Sequence, residues 1–367
     1  MAGDETPPRP RRDPGPRDEW VRSSLARQEA IVDDLVARAG PAADPAAAAD
    51  DDEEACLTWL AARRQAASFR RHLDTWTGRA FARTAHDVAD HHRALEAAHD
   101  RAEDALAAFD EPTRRAAEGR LGLRVAVIGK GGAGKTVISS TLARLLARRG
   151  RQVLAADLDT NPGMAFSLGL PPTEAGLPDE AVEEHPGAAY GWQLASGLTP
   201  REVVERFAAV APDGVRFLGL GKIGDPEKTA PKRSVAALIQ LLLGFGEPGW
   251  DVIGDLEAGP TTPFERYHAF ADHVVVVVGP AWRSAMTARR LLPMVGEGRA
   301  TIVVGNRFRD EPDHRGLAPC IRIPDDPDVS EAERLGLPPL DACPDSPAVH
   351  AVGHLADLLL QAQEVHA

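Results

Sequence analysis

The chain has 367 residues, enough for two domains, and combines 43% hydrophobic residues with a formal net charge of −13. That balance argues against a surface made to cover nucleic-acid phosphates, and no apolar run reaches the ~18 residues of a membrane-spanning helix. Three isolated cysteines, Cys56, Cys320 and Cys343, offer neither a disulfide framework nor a paired-thiolate metal site.

Residues 1–18, MAGDETPPRPRRDPGPRD, are rich in Pro and Arg without any period and read as a disordered tail. They lack the apolar core of a secretory signal, so the cytoplasm is the expected compartment. Residues 19–119 read as an α-helical region, with Ala, Leu, Arg and Glu dominant and apolar residues at three- and four-residue spacings. The apolar stripe is thin, which favours a hairpin or small bundle that needs a partner surface. His86, Asp90, His92, Glu96 and His99 fall about one helical turn apart, a spacing compatible with a metal site but also common on any solvated helix face.

From residue 120 to 367 the texture changes to an α/β domain. LRVAVIG, RQVLAADLD, GVRFLGLG, WDVIGDLEAG, HVVVVVGP and TIVVGN alternate with helical stretches. Near-continuous apolar strands with helical crossovers imply a mostly parallel sheet covered on both faces, whose ligands bind beyond the carboxyl ends of the strands.

The first of these strands runs into GKGGAGKT and then an amphipathic helix, the context that a phosphate-binding G-x-x-x-x-G-K-[ST] loop requires. Backbone N–H groups of Gly129, Lys130, Gly131, Gly132, Ala133 and Gly134 can turn toward phosphate oxygens, with Val137 behind them in the first helical turn. Lys135 is expected to reach the β- and γ-phosphates and Thr136 to ligate Mg²⁺. A second lysine, Lys130, has no place in that scheme. Lysine is scarce here: only Lys130, Lys135, Lys222, Lys228 and Lys232 occur among 42 basic residues, the last three within KIGDPEKTAPK. That basic, Gly- and Pro-punctuated stretch reads as a loop that binds an acidic partner or a second subunit.

KGGAGKT resembles the deviant Walker A loop of the SIMIBI class of P-loop ATPases, which includes MinD, ParA, the nitrogenase iron protein and CooC-type maturation ATPases. The resemblance extends over about residues 123–361. It implies that Lys130 crosses a two-fold interface to the neighbouring nucleotide, so that the ATP-bound state is a homodimer. VLAADLDTNPGMAFSLGL is similar to switch I, which implies Asp159 as the water-orienting catalytic carboxylate beside Lys130 and Lys135, with Asp157 near the metal. WDVIGDLEAG resembles Walker B, with Asp255 near Mg²⁺, and VVGNRFRD and IPDD imply Asn306 and Asp326 as contacts to the base. Arg309 stands where a GTPase motif would have a carboxylate, and Asp310 follows one step later; ATP is favoured.

Two family features are absent from the sequence. DLEAGPTT has no cluster-binding cysteine, and the C-x-C pair of CooC-type relatives is matched by Lys228 and Ala230. The last residues, HLADLLLQAQEVHA, carry no Lys or Arg, so no membrane tether of the MinD kind is expected there. The resulting expectation is an ATP-hydrolysing dimeric switch acting on an unidentified protein partner through the helical region and the Lys222–Lys232 loop. Neither membrane nor nucleic acid is an expected partner. A ParA- or MinD-like positioning ATPase, and a nucleotide-gated binding module with negligible turnover, fit the same motifs.

Overall fold

A computed structural model of the protein describes residues 59–60, 63, 66, 85–109, 117, 121–159, 163–171, 176–184, 192–221, 230–257, 267–295, 300–309 and 317–366. The tail expected over 1–18, Cys56, Lys222, Lys228 and Asp310 lie outside these residues.

Within the region expected to be helical, α1 runs Ala85–Ala107. Ala102 and Ala105 are buried, and Leu106 and Phe109 follow at helical spacing. Leu106 and Phe109 pack with Trp59, Leu60, Ala117 and Leu121 in a small separate core. The outward side of α1 is charged: Arg93, Glu96, Asp100, Arg101, Glu103 and Asp104 are exposed. His99 stands 3.9 Å from Glu103 across one turn. No group of three or more metal-ligating side chains occurs among the described residues, and the side chains of His86, Asp90 and His92 lie outside them.

The α/β part contains β1 (Arg124–Gly129), α2 (Lys135–Arg148), β2 (Gln152–Leu158) and α3 (Met164–Leu168). The hairpin β3 (Val182–Glu184) and β4 (Trp192–Leu194) comes next, then α4 (Pro200–Phe207), β5 (Ala209–Val210), β6 (Arg216–Gly219), α5 (Ala230–Gly244) and β7 (Trp250–Leu256). The chain continues through β8 (His273–Val278), α6 (Trp282–Leu291), β9 (Ala300–Phe308) and β10 (Ile321–Pro324). It ends with α7 (Pro327–Leu335), α8 (Pro339–Ala342) and α9 (Pro347–His366). Eight strands form one sheet in the order β10-β9-β8-β1-β7-β2-β6-β5, with every neighbouring pair parallel except β5 and β6.

Both faces of the sheet are covered, which is why its strands read as unbroken apolar runs. In β8, Val274, Val276 and Val278 face the core under α4, α5 and α6, while Val275 and Val277 face the core under α2, α3 and α9. The helices answer with Leu238, Leu241 and Leu242 of α5 on one side and Ile138, Leu142 and Leu146 of α2 on the other. Each such side chain contributes roughly 1.5–3 kcal/mol by leaving water.

All six strands expected from the sequence are present, as β1, β2, β6, β7, β8 and β9. The hairpin β3–β4 and the short strands β5 and β10 are additions. One expectation is corrected: Lys232 does not belong to a loop, because α5 begins at Ala230. Pro231 then occupies the first turn of that helix, where a missing N–H removes no hydrogen bond.

The sheet is fixed at its amino edge by buried polar contacts. Asp251 of β7 accepts from the Leu123 backbone N–H at 2.7 Å and from Arg151 Nη2 at 2.7 Å. Arg124 donates to the carbonyls of Phe270, Phe245 and Leu242, the last within the final turn of α5. On the α2 side, the buried Arg144 donates to both oxygens of Asp341 at 2.5 and 2.8 Å and to Asp213 at 2.7 Å. The end of α2 is thereby tied to α8 and to the turn before β6.

Candidate functional site

The carboxyl ends of β1, β7 and β2 lie side by side in the sheet, and the residues singled out from the sequence gather there. The parallel register pairs Val127 with Asp255 and Asp255 with Asp157, so the two carboxylates stand on adjacent strands. Gly129 ends β1. A Cβ at that position would meet the Val277 carbonyl oxygen at 2.5 Å, so only glycine lets the chain turn here against β8.

The loop that follows leads into α2 through Gly134, which has φ 92°. A Cβ on Gly134 would stand 2.1 Å from Asn306 Nδ2. No side chain caps α2, so the N–H groups of its first turn, at Lys135, Thr136 and Val137, are open to an anion. Gly131 and Gly132 are exposed and Ala133 is buried.

The two lysines of the loop differ in placement. Lys135 is 5% exposed, in the first turn of α2. Lys130 is only half-buried on the outer side, its Nζ resting 3.3 Å from the Gly131 carbonyl of its own loop. One ammonium is enclosed in the fold while the other lies against the loop surface.

Thr136 Oγ1 donates to Asp255 Oδ2 at 2.6 Å. The other oxygen, Oδ1, is buried and has no hydrogen-bond partner among the described residues. Burial pushes the Asp255 carboxyl up to about 8, and the neighbouring Asp157 adds to that shift against the opposing pull of Lys135 and Thr136. An orphaned carboxylate oxygen beside a hydroxyl is a donor set suited to Mg²⁺, which takes hard oxygen ligands and only one or two carboxylates.

Asp157, expected at the metal from the resemblance, accepts three backbone N–H bonds. Its Oδ1 accepts from the Asp159 backbone N–H at 3.0 Å, and its Oδ2 accepts from Gly163 and Met164 at 3.0 and 2.9 Å. The carboxylate thereby links Asp159, just past β2, to the start of α3. Burial raises its pKa to about 6, and the backbone bonds from Met164 and Asp159 work against that rise. Asp159 itself is half-buried just past the end of β2.

Beside the loop an open cleft lies between α2, α7 and α9, above the ends of β9 and β10. Val137, Asn306 and Asp326 all line it. Asn306 Nδ2 donates to the Ala133 carbonyl at 2.8 Å, tying the end of β9 to the phosphate loop. Asp326 caps α7 by accepting from Asp328 N–H at 2.9 Å and accepts from Ser346 Oγ at 2.6 Å. Ser346 in turn accepts from Ala348 and Val349 at the start of α9, so two helix caps meet at the cleft. The Ser346 bond, with the backbone N–H bonds, holds the Asp326 carboxyl below its usual range. Arg309 points away to solvent, 82% exposed and paired with Asp325 at 2.6 Å.

The sequence reading missed the far wall of this cleft, formed by Val329, Ser330 and Glu333 of α7 and by α9. It missed Ser346 as well, although a serine directly before Pro347 is a helix-start signal.

Comparisons with known proteins bear on the family and the fold. The CbiA family model, the CobQ/CobB/MinD/ParA nucleotide binding domain, matches residues 125–340. An uncharacterized ATP-binding protein of Methanocaldococcus jannaschii is 27% identical over 239 residues, or 59% of this chain and 90% of that protein. The carbon monoxide dehydrogenase accessory protein CooC of Rhodospirillum rubrum is 29% identical over 180 residues, or 46% of this chain and 67% of that protein. The septum site-determining protein MinD of Pyrococcus horikoshii, solved in complex with Mg-ADP, shares the fold with a TM-score of 0.52 at 19% identity, over 67% of this chain and 99% of that one. With the family model covering more than half of its length, the chain belongs to the CobQ/CobB/MinD/ParA nucleotide-binding family, of the SIMIBI class of P-loop ATPases.

Proposed function

We propose that the protein binds and slowly hydrolyses ATP with Mg²⁺, and that the ATP-bound form is a face-to-face pair of chains that acts on a partner protein. The observation that carries this reading is the orphaned oxygen of Asp255. It lies beside Thr136 and the enclosed Lys135, at the uncapped start of α2. A buried carboxyl with one oxygen unpartnered gives up its charge, here by holding its proton up to about pH 8, and a cation that meets it restores the charged form.

In this reading the N–H groups of the Gly129–Gly134 loop and of the first turn of α2, Val137 included, hold the phosphates, and Lys135 contacts the β- and γ-phosphates. Mg²⁺ would be held by Thr136 Oγ1 and Asp255 Oδ1, and would neutralise charge developing on the phosphates. Asp157 acts next to the ion by fixing the turn that carries Asp159. Asp159 orients the attacking water, and Asn306 and Asp326 meet the base. Lys130, on the outer side of the loop, contacts the nucleotide of the second chain, which makes it catalytic only in the pair.

The boundary near residue 119/120 separates this ATPase domain from the helical region, for which partner contact is the proposed role. Lys222, Lys228 and Lys232, around the start of α5, would supply a second, basic contact.

The test separates binding from pairing. Lys130→Ala is expected to keep ATP affinity near that of the parent and to lose nucleotide-dependent pairing, read by light scattering with a non-hydrolysable analogue. Asp159→Ala is expected to pair normally and to slow single-turnover hydrolysis by ~10²–10⁴. A Lys130→Ala protein that still pairs with the analogue would remove the second-chain contact from the scheme.

A further inference from the structure

The end of β9 is irregular at one residue. Asn306 pairs with Ile323 of β10, and the next partners are Phe308 and Pro324, so Arg307 stands opposite no residue. It is a bulge, a device that re-aims a side chain at a strand end. Arg307 also has φ 60°, and Asp213 is the only other non-glycine with positive φ among the described residues. Backbone preference alone favours glycine at such a position, so an arginine held there in a strained conformation points to use of its side chain.

That side chain has little structural employment. It lines the cleft next to Asn306 and reaches Glu333 of α7 through a single contact, Nη2 to Oε2 at 3.3 Å. The two side chains are 41% and 35% exposed, and exposed ion pairs of this length contribute little to stability. Glu333 lines the same cleft from the facing wall. A planar, always charged guanidinium is thus held at the wall of an apolar-sided cleft by a weak counter-ion. Arginine in such a setting stacks on aromatic rings.

We propose that Arg307 is a base clamp: its guanidinium leaves Glu333 and lies over the face of the nucleotide base in the cleft, and Glu333 is the resting counter-ion that competes with the base for it. The proposal rests on the ATP reading above and adds to it a residue that raises affinity without choosing the base. Stacking is tolerant of purine identity, so base choice stays with the hydrogen-bonding edge near Asn306. The bulge and the positive φ serve to hold Arg307 at the cleft instead of along the sheet.

Calorimetry on the full chain with Mg²⁺, titrating ATP, GTP and inorganic tripolyphosphate separately, tests it. Arg307→Ala should weaken ATP and GTP by a similar factor, about 3- to 30-fold, and leave tripolyphosphate unchanged. Glu333→Gln should tighten ATP by about 2- to 5-fold, the opposite sign. Arg307→Gly should raise the thermal midpoint of the nucleotide-free protein while reducing the shift that ATP adds, a pairing of effects that a purely structural arginine would not give. The clamp is overturned if Arg307→Ala binds ATP like the parent, if tripolyphosphate weakens as much as ATP, or if Glu333→Gln weakens ATP. Should the parent bind neither ATP nor tripolyphosphate, the nucleotide reading fails and the clamp falls with it; loss of the clamp alone leaves tripolyphosphate binding intact.

Discussion

Asp251 and Asp255 lie on the same strand, β7, and both are fully buried. At the amino edge, Asp251 is met by Arg151 on both oxygens and by the Leu123 N–H. Asp255 shares its edge with another carboxylate and keeps one oxygen without a partner among the described residues. Residue type and burial are the same, so they cannot be what separates structure from function. The difference lies in whether the fold itself completes the electrostatics. Where it does, the carboxylate braces the sheet; where it does not, the deficit is what the proposed function fills with a cation.

The largest effect that would sharpen this contrast comes from Lys135→Ala, which removes the enclosed cation of the carboxyl edge. ATP binding by calorimetry should fall below detection, since no other described side chain brings an ammonium into that loop from within. An unchanged affinity would end the phosphate-loop assignment. Next comes Asp251→Asn, which leaves Arg151 half-paired. Chemical denaturation should show a loss toward the lower end of the ~3–5 kcal/mol that breaking a buried pair costs, because Arg151 is 28% exposed and water makes up part of the deficit.

Asp255→Asn should act in the opposite direction on the metal- and nucleotide-free protein. The folded pKa of Asp255 is raised to about 8, above its value in the unfolded chain. Between about pH 4 and pH 8 the unfolded chain therefore releases a proton that the folded one keeps, and stability falls as pH rises. Asp157, raised to about 6, adds to the lower part of that window. The Asn variant should show a shallower decline and a higher thermal midpoint than the parent at pH 8, together with weaker Mg²⁺-dependent ATP binding. If both Asn variants destabilise the protein equally across that range, the contrast between the two edges is wrong.

The phosphate loop was readable because its residue types are dictated by covalent geometry. A Cβ at Gly129 or Gly134 collides with Val277 or Asn306, and the loop cannot be written otherwise. Five of the six expected strands, six to nine residues long, were readable because burial on both faces forces β-branched runs such as HVVVVV, and the four-residue β6 was legible only within the longer apolar stretch GVRFLGLG. Elements of two to four residues, such as β5, β10 and the β3–β4 hairpin, are too short to show a period. The cleft wall and the Arg144 network were hidden for another reason: they join residues far apart in the chain. Arg144 meets Asp213 69 positions away and Asp341 197 positions away, and no local pattern marks such partners. The role expected of Lys135 came from the motif itself and that of Lys130 from resemblance, and Lys232 shows the limit of reading Pro as a loop marker when it can open a helix.

The placement of the small helical core has a consequence for assembly. Leu121, like Leu106 and Phe109, packs against the Trp59, Leu60 and Ala117 cluster, and its carbonyl accepts from Gln363 of α9, just before β1 begins. The six residues of β1 span about 20 Å from there to the phosphate loop. If two chains meet through their loop-bearing edges, the helical cores stand at opposite poles of the pair. In the pair proposed above, each pole would then lie the length of a sheet strand from the shared centre, so two separate surfaces would be offered to a partner.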